Sequence, residues 1–131
     1  HLSLRRQRQM CIRDRRFLES GDFARHVRRA RMVYARRRDL VLGGLRAALE
    51  PARLHVTGEH AGFHLVWWLP PDMALEPFLR AAARQGLRFQ AISDFCRRKD
   101  LPPGLVIGYT AMDDAALRQH VDELRRLIQN A

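Results

Sequence analysis

The pattern of hydrophobic and polar positions is most informative between residues 53 and 70, where two short runs of alternating residues flank a glycine-bounded loop. This pattern predicts a β-hairpin. In the second strand, alternation sends two sets of side chains to opposite faces: Phe63, Leu65, Trp67 and Leu69 to one, and His64, Val66 and Trp68 to the other. Because both faces carry large apolar groups, we expect this strand to lie in the interior of a sheet.

A long amphipathic helix is predicted before the hairpin, within residues 16–50. Its apolar residues recur at seven-residue steps, with others on the same stripe: Val27, Tyr34, Val41 and Ala48, together with Phe23, Ala30 and Leu45. Ser20 is a suitable N-cap, and Asp22 lies where a negative charge meets the positive end of the helix dipole. Gly43-Gly44 weaken the helix and favour a bend. Pro51 ends the helix because proline cannot continue the hydrogen-bond ladder.

The remaining sequence predicts two more helices and two more strands. A short helix has Asp72 as its N-cap and is closed by Gly86. A polar loop separates strands over residues 87–92 and 105–109. Asp113 starts a final helix whose apolar residues recur at spacings of three and four: Leu117, Val121, Leu124 and Ile128. The order α-β-β-α-β-β-α predicts a two-layer α+β fold, in which helices cover one face of a small, mostly antiparallel sheet.

The net charge of +10 is concentrated near the start of the chain. Residues 1–15 contribute +4 (five Arg, one Asp), residues 16–38 contribute +6 (eight Arg, two carboxylates), and residues 39–131 balance eleven cations with eleven carboxylates. The arginines of the long helix could neutralise nucleic-acid phosphates, or they could form the solvated outer face of a packing helix. The apolar stripe favours packing, and an independent basic nucleic-acid-binding domain stays as an alternative.

Few residues suggest chemistry by themselves. Cys11 and Cys96 have neither the number nor the spacing of a disulfide framework or zinc site. The single lysine, Lys99, lies among arginines in a polar loop, as is typical of a solvated surface. His55 and His64 could face each other across the hairpin, but no cysteine or carboxylate cluster completes four metal ligands. The residues therefore predict neither a catalytic group nor a metal site.

The segments FLESGDFARHVRRARMVYARRRDLVLGGLRAAL and TGEHAGFHLVWWLP, followed by GLVIGY, resemble the carboxy-terminal small subdomain of the aminotransferase-like module of MocR/PdxR-type transcriptional regulators. The resemblance covers residues 16–131, with residues 16–50 as a connecting helix and residues 51–131 as the sheet and its covering helices. It implies a fold-type I module that binds pyridoxal phosphate and is usually a homodimer. It also implies that the large subdomain, and a GntR-type winged helix-turn-helix that binds DNA, lie outside this chain.

The resemblance assigns no catalytic residue to this chain, which alone is not expected to be active. In such modules the lysine that forms a Schiff base with the cofactor belongs to the large subdomain. His64, in the AGFH motif, is a candidate at the edge of the cofactor pocket. Complete aminotransferases place an arginine on the strand before the last helix to clamp the substrate carboxylate, and Val106 occupies that place here. This difference favours a cofactor-sensing regulator, with the small subdomain of a free-standing aminotransferase as the alternative.

Two further expectations concern the ends of the chain and its location. LRRQRQMCIRDR, within residues 1–15, resembles a translated sequencing adapter, so we predict that these residues are a non-native leader. No uncharged apolar run has the length of a membrane span, and no secretory signal is recognisable. We therefore expect no membrane partner and a cytoplasmic location.

Overall fold

The computed structural model describes residues 12, 15, 16, 21–60, 62–98 and 100–131. These residues fall into two compact units, which divide between Val33 and Tyr34. The helices with described bounds are α1 (Asp22–Ala48), α2 (Leu75–Arg84) and α3 (Asp114–Gln129), and the strands are β1 (His55–Thr57), β2 (His64–Trp68), β3 (Gln90–Ala91) and β4 (Gly104–Gly108). The predicted cap at Ser20 lies outside the described residues, and so does nearly all of the predicted leader.

The four strands form one antiparallel sheet in the order β1-β2-β4-β3. β2 pairs with β1 on one side and with all five residues of β4 on the other. The prediction that the strand with two apolar faces lies in the interior of the sheet is therefore confirmed. β4 is also interior, but β3 covers only two of its residues.

One face of the sheet carries the core. Leu65 and Trp67 of β2 lie opposite Ile107 and Leu105 of β4, and all four are buried. The Trp67 ring meets Phe78 of α2 edge-on, with ring centroids 5.4 Å apart and an interplanar angle of 74°. Buried residues of all three helices complete the core: Val41, Leu42 and Leu45 of α1, Phe78 and Ala82 of α2, and Leu117, Leu124 and Ile128 of α3. The predicted two-layer α+β fold is confirmed.

The apolar stripe of α1 is not buried along its whole length. It reaches full burial at Val41 and Leu45, whereas Phe23 is 44% exposed. The helix continues through both glycines to Ala48. Gly44 faces Val121 of α3 so closely that a Cβ at this position would overlap the Val121 methyl group. A glycine therefore lets α1 and α3 approach each other here.

Polar contacts connect the second half of α1 to the start of α3 and to two loops. Arg36 and Arg37 both donate to the carboxylate of Asp114, at 2.8 and 3.2 Å, and Arg37 also donates to the carbonyl of Thr110 at 2.9 Å. Arg38 donates to the carbonyl of Glu59 in the β1–β2 loop at 3.3 Å. These arginines, which looked from the sequence like part of a solvated face, instead hold the loops at one end of the sheet.

The start of α2 differs from the prediction. The helix begins at Leu75 after Ala74, which makes no side-chain cap. Asp72 lies in the preceding turn and accepts two hydrogen bonds from Arg53, at 2.7 and 2.9 Å, so its prediction as the N-cap is wrong. The Arg53 hydrogen bonds lower the pKa of this carboxyl group. The predicted closing role of Gly86 is confirmed, because its φ of 79° lies in the left-handed region.

β3 is shorter than the alternation over residues 87–92 predicts. Only Gln90 and Ala91 pair with β4, and a 3₁₀ turn follows at once over Ile92–Asp94. The Asp94 carboxylate accepts the Ala91 N–H at 3.2 Å. Because a short polar side chain that bonds to nearby backbone competes with the sheet ladder, the strand ends here.

Tyr109, directly after β4, is fully buried, and its hydroxyl has no hydrogen-bond partner among the described residues. Burial raises the pKa of this phenol above its ordinary value of 10.0, although nearby Arg38 acts in the opposite direction. The folded state therefore holds this proton more tightly than the unfolded chain does. The resulting stability is present below about pH 10 and is lost as the pH rises through the folded-state pKa.

We expect Tyr109→Phe to weaken the alkaline loss of stability. At neutral pH the variant should be unchanged or more stable by up to about 1 kcal/mol, because it removes a buried hydroxyl without a partner. Urea unfolding of both chains, at neutral pH and again above about pH 10, measures the two effects. A loss of more than about 1 kcal/mol at neutral pH would mean that the hydroxyl is hydrogen-bonded in solution.

Candidate functional site: the open face of the sheet

The face of the sheet opposite the core is the candidate site, and we call it the open face. Strand alternation and the register of pairing place nine residues on it: His55, Thr57, His64, Val66, Trp68, Gln90, Gly104, Val106 and Gly108. Apart from Gly104, these residues are exposed or half-buried, whereas on the other face all the strand residues except the half-buried Val56 are buried. The described parts of all three helices contribute to the core side, so this face is the one left for a ligand or another domain.

Trp68 lies across the open face. Its indole Nε1 donates to the Thr57 hydroxyl on β1 at 2.9 Å. On the other side of β2, a Cβ added to Gly104 would lie 2.8 Å from Trp68 Cε3 and 3.3 Å from Val66 Cγ1. The indole therefore covers the glycine backbone of β4, and any side chain at that position would displace it.

His64 lies close to the backbone of the other glycine of β4, Gly108, as Trp68 does to Gly104. It lies opposite Gly108, and a Cβ there would come within 3.3 Å of the imidazole Cδ2. The imidazole is exposed on the open face. His55 lies opposite Trp68 at the far end of β2, so the expectation that His55 and His64 face each other across the hairpin is wrong.

Val106 occupies the centre of the open face. It lies opposite Val66 on one side and Gln90 on the other, and it is half-buried. None of the nine residues of the open face is an arginine, lysine, aspartate or glutamate. The face therefore offers apolar surface, an indole, imidazoles and an amide to whatever covers it, but no permanent charge.

The other groups singled out in the sequence are not brought to this face. Lys99 and Cys11 lie outside the described residues, and Cys96 is a half-buried free thiol in the loop between β3 and β4. Among the described residues, no group of three histidine, cysteine, aspartate or glutamate side chains is arranged to hold a metal ion.

No described helix combines the length and the apolar character that crossing a membrane requires.

Sequence reasoning missed the roles of Gly104 and Gly108 on this face. The signal that the sequence offers is the position of the two glycines at both ends of one strand. The structure adds that they lie opposite Trp68 and His64. Glycines in a strand commonly mark a close approach of another group. Finding this partner required the strand register, which the spacing of residues did not define.

The chain is similar in sequence to known transcriptional regulators. No protein-family model matches the chain. The chain is 30% identical over 109 residues to the probable rhizopine catabolism regulatory protein MocR of Rhizobium meliloti, a match that covers 83% of this chain and 22% of that protein. It is 23% identical over 117 residues to the uncharacterized HTH-type transcriptional regulator YhdI of Bacillus subtilis (strain 168), covering 89% and 24%. The chain thus spans less than a quarter of the length of these relatives.

The solved structures that share this fold include aminotransferases. The kynurenine aminotransferase of Pyrococcus horikoshii aligns with a TM-score of 0.71 at 21% identity, over 88% of this chain and 28% of that one. The α-aminoadipate aminotransferase LysN of Thermus thermophilus gives 0.71 at 22% identity, over 87% and 29%. The chain is a relative of the MocR-type regulators with an aminotransferase fold. The resemblance stated from the sequence motifs is confirmed.

The fold comparison concerns only part of the aminotransferases. This chain matches less than a third of each of the two enzymes, whereas about seven-eighths of its own length is aligned. The first enzyme was crystallised in complex with PMP, with KYN as substrates and KYA as products, and the second with N-(5'-phosphopyridoxyl)-L-leucine. In this chain, the nine described residues of the open face include none of the charged groups that would hold a phosphate or a carboxylate.

Proposed function

We propose that this chain is the small-subdomain part of a cofactor-sensing transcriptional regulator, in which the open face of the sheet covers a pyridoxal phosphate site. The large subdomain, which would hold the cofactor, and a winged helix-turn-helix that binds DNA would lie elsewhere in the complete, homodimeric, cytoplasmic protein. The observation that carries the proposal is an uncovered sheet face without permanent charge. The fold shared with aminotransferases and the sequence similarity to MocR support it.

The open face could lie over the cofactor, but the described residues offer no groups that would anchor it. Pyridoxal phosphate supplies two reactive features: an aldehyde, which combines with amines, and a ring that withdraws electrons. Its phosphate requires cationic or backbone N–H donors, and its aldehyde requires a lysine amine. The open face instead offers Val66, Val106 and the flat indole of Trp68, which suit a planar, weakly polar group. Its imidazole at His64 supplies one polar contact at the edge.

Val106 supports a sensing role over amino-acid transamination. A guanidinium can clamp a substrate carboxylate with two parallel, charge-assisted hydrogen bonds. A valine at the centre of the open face makes no such bond and leaves the carboxylate of an amino acid without a partner from this face. A regulator needs only to bind its signal and change shape, whereas a transaminase must hold the substrate through each turnover.

The test uses the protein encoded by the complete reading frame. We expect it to bind pyridoxal phosphate as a yellow, borohydride-trappable adduct, to bind duplex DNA, and to change its DNA affinity when an amine is added. We expect no turnover of amino-acid substrates. Steady transamination of common amino acids would support the free-standing enzyme instead, and a complete frame without a winged helix-turn-helix would do the same.

Substitution at the centre of the face adds a sharper measurement. Val106→Arg should tighten binding of amino acids to the cofactor-loaded protein by about tenfold to a hundredfold, because a hydrogen bond to a charged group contributes about 1.5–3 kcal/mol. His55→Arg places the same charge on the outer strand of the same face and should leave this affinity unchanged. Equal effects of the two variants would show that Val106 does not face the substrate. Spectral titration of the bound cofactor measures both.

A further inference from the structure

The arginines of α1 divide into two groups with different surroundings. Arg36, Arg37 and Arg38 all have partners in the fold: the Asp114 carboxylate and the carbonyls of Thr110 and Glu59. Three arginines that precede them on the same helix, namely Arg28, Arg29 and Arg31, are exposed. The sequence left open whether the basic helix packs or binds a polyanion, and the structure assigns packing to the later group only.

The earlier group has no counter-charge in the described part of the chain. No described carboxylate lies within ion-pair distance of Arg28, Arg29 or Arg31, and Arg28 makes only a long hydrogen bond of 3.4 Å to the carbonyl of Ala24 in its own helix. The neighbouring Met32 is 72% exposed. Three cations within four residues repel one another, and a bound polyanion would relieve this repulsion.

We propose that Arg28, Arg29 and Arg31 form a contact surface for the phosphate backbone of duplex DNA. The helix rises about 1.5 Å per residue, so the three arginines start within about 4.5 Å along its axis and fan out around it. Duplex DNA carries one phosphate charge per about 1.7 Å of its axis, so each guanidinium can reach a different phosphate. The contact is independent of sequence, because it reads no base edge.

A lipid surface fits these residues less well. A helix that lies in a membrane interface buries a continuous apolar face beside its cations. Among the described residues of this part of α1, only Phe23 and Met32 are large, apolar and exposed. The patch therefore offers charge without the apolar area that membrane binding needs.

This inference does not rest on the proposed function, because it uses neither the cofactor nor the open face. The test is fluorescence anisotropy of the 131-residue chain with a labelled duplex of about 20 base pairs across a salt series. A variant with Arg28→Gln, Arg29→Gln and Arg31→Gln should lose about 2 to 3 units of salt slope, since each phosphate contact contributes about 0.9. Its affinity at the lowest salt should fall at least about tenfold. Glutamine preserves helix propensity, and circular dichroism checks that helicity is retained.

The matched control removes the same charge from other helices: Arg80→Gln, Arg84→Gln and Arg118→Gln, all exposed. Its salt slope should match that of the parent chain. The arginines of residues 1–16 are common to all three chains, so their contribution cancels in the comparison. Equal loss in the two variants would overturn the proposal, because net charge alone would explain the binding. Tighter binding to phosphatidylglycerol vesicles or polyglutamate than to the duplex would also overturn it, by pointing to a membrane or an acidic protein.

Discussion

Replacing Trp67 by alanine is expected to remove about 3–5 kcal/mol of stability, a large part of the about 5–15 kcal/mol that is typical of a folded domain. Trp67 is fully buried in an interior strand, where its indole meets Phe78 edge-on at 5.4 Å. It connects β2 with α2 and faces Leu105 of β4, so its loss opens a cavity between the sheet and its helical layer. Urea unfolding followed by far-ultraviolet circular dichroism measures the change.

The neighbouring tryptophan is the control for this prediction. Trp68→Ala removes the same side chain from the open face, where it is half-buried, and should cost only about 1 kcal/mol. Trp67→Phe should lose less than half of what Trp67→Ala loses, since it keeps an aromatic ring and removes an indole N–H without a partner among the described residues. Equal losses from Trp67→Ala and Trp68→Ala would contradict the assignment of the core to one face.

The elements that the sequence predicted well are those whose apolar periodicity is strong. α3 has its N-cap at Asp113, whose carboxylate accepts the Ala116 N–H at 2.8 Å, and its apolar stripe enters the core as predicted. β2 was recognisable as interior because both of its faces carry large apolar groups, Trp67 on one and Trp68 on the other. In these elements local pattern and burial agree, so residue order alone is sufficient.

The predictions that failed depended on contacts between distant residues. Asp72 is a good helix cap in isolation, but Arg53, nineteen positions earlier, takes its carboxylate instead. The supposed meeting of His55 and His64 required the register of the hairpin, which a loop of several residues does not fix. The roles of Arg36 and Arg37 were missed because their partner, Asp114, lies more than seventy positions away.

The open face was predictable only in part. Alternation gave the two faces of β2, and the family resemblance drew attention to His64 and Val106. That these two positions share one face follows from the β2–β4 register, in which His64 is opposite Gly108 and Val106 is opposite Val66. The absence of permanent charge on that face becomes visible only when all the strand residues are assembled.

Two adjacent glycines of α1 should respond to the same substitution in opposite directions. A Cβ at Gly43 would have no other atom within 4 Å, so Gly43→Ala should stabilise the fold by about 0.5–1 kcal/mol through helix propensity. At Gly44 the added methyl group would overlap Cγ1 of Val121 on α3. Valine is stiff about χ1 and cannot move aside cheaply, so Gly44→Ala should destabilise by about 1–3 kcal/mol despite the same gain in propensity.

The double variant Gly44→Ala with Val121→Ala separates packing from backbone effects. Removing the valine methyl groups vacates the volume that the new Cβ needs, so the pair should be more stable than the sum of the single changes by at least about 1 kcal/mol. Thermal unfolding of the four chains of this cycle measures that coupling. Additive single changes would mean that α1 and α3 are not in contact at Gly44. A destabilising Gly43→Ala would mean that another group covers this side of α1 in solution, because a Cβ at Gly43 has no atom within 4 Å in this structure.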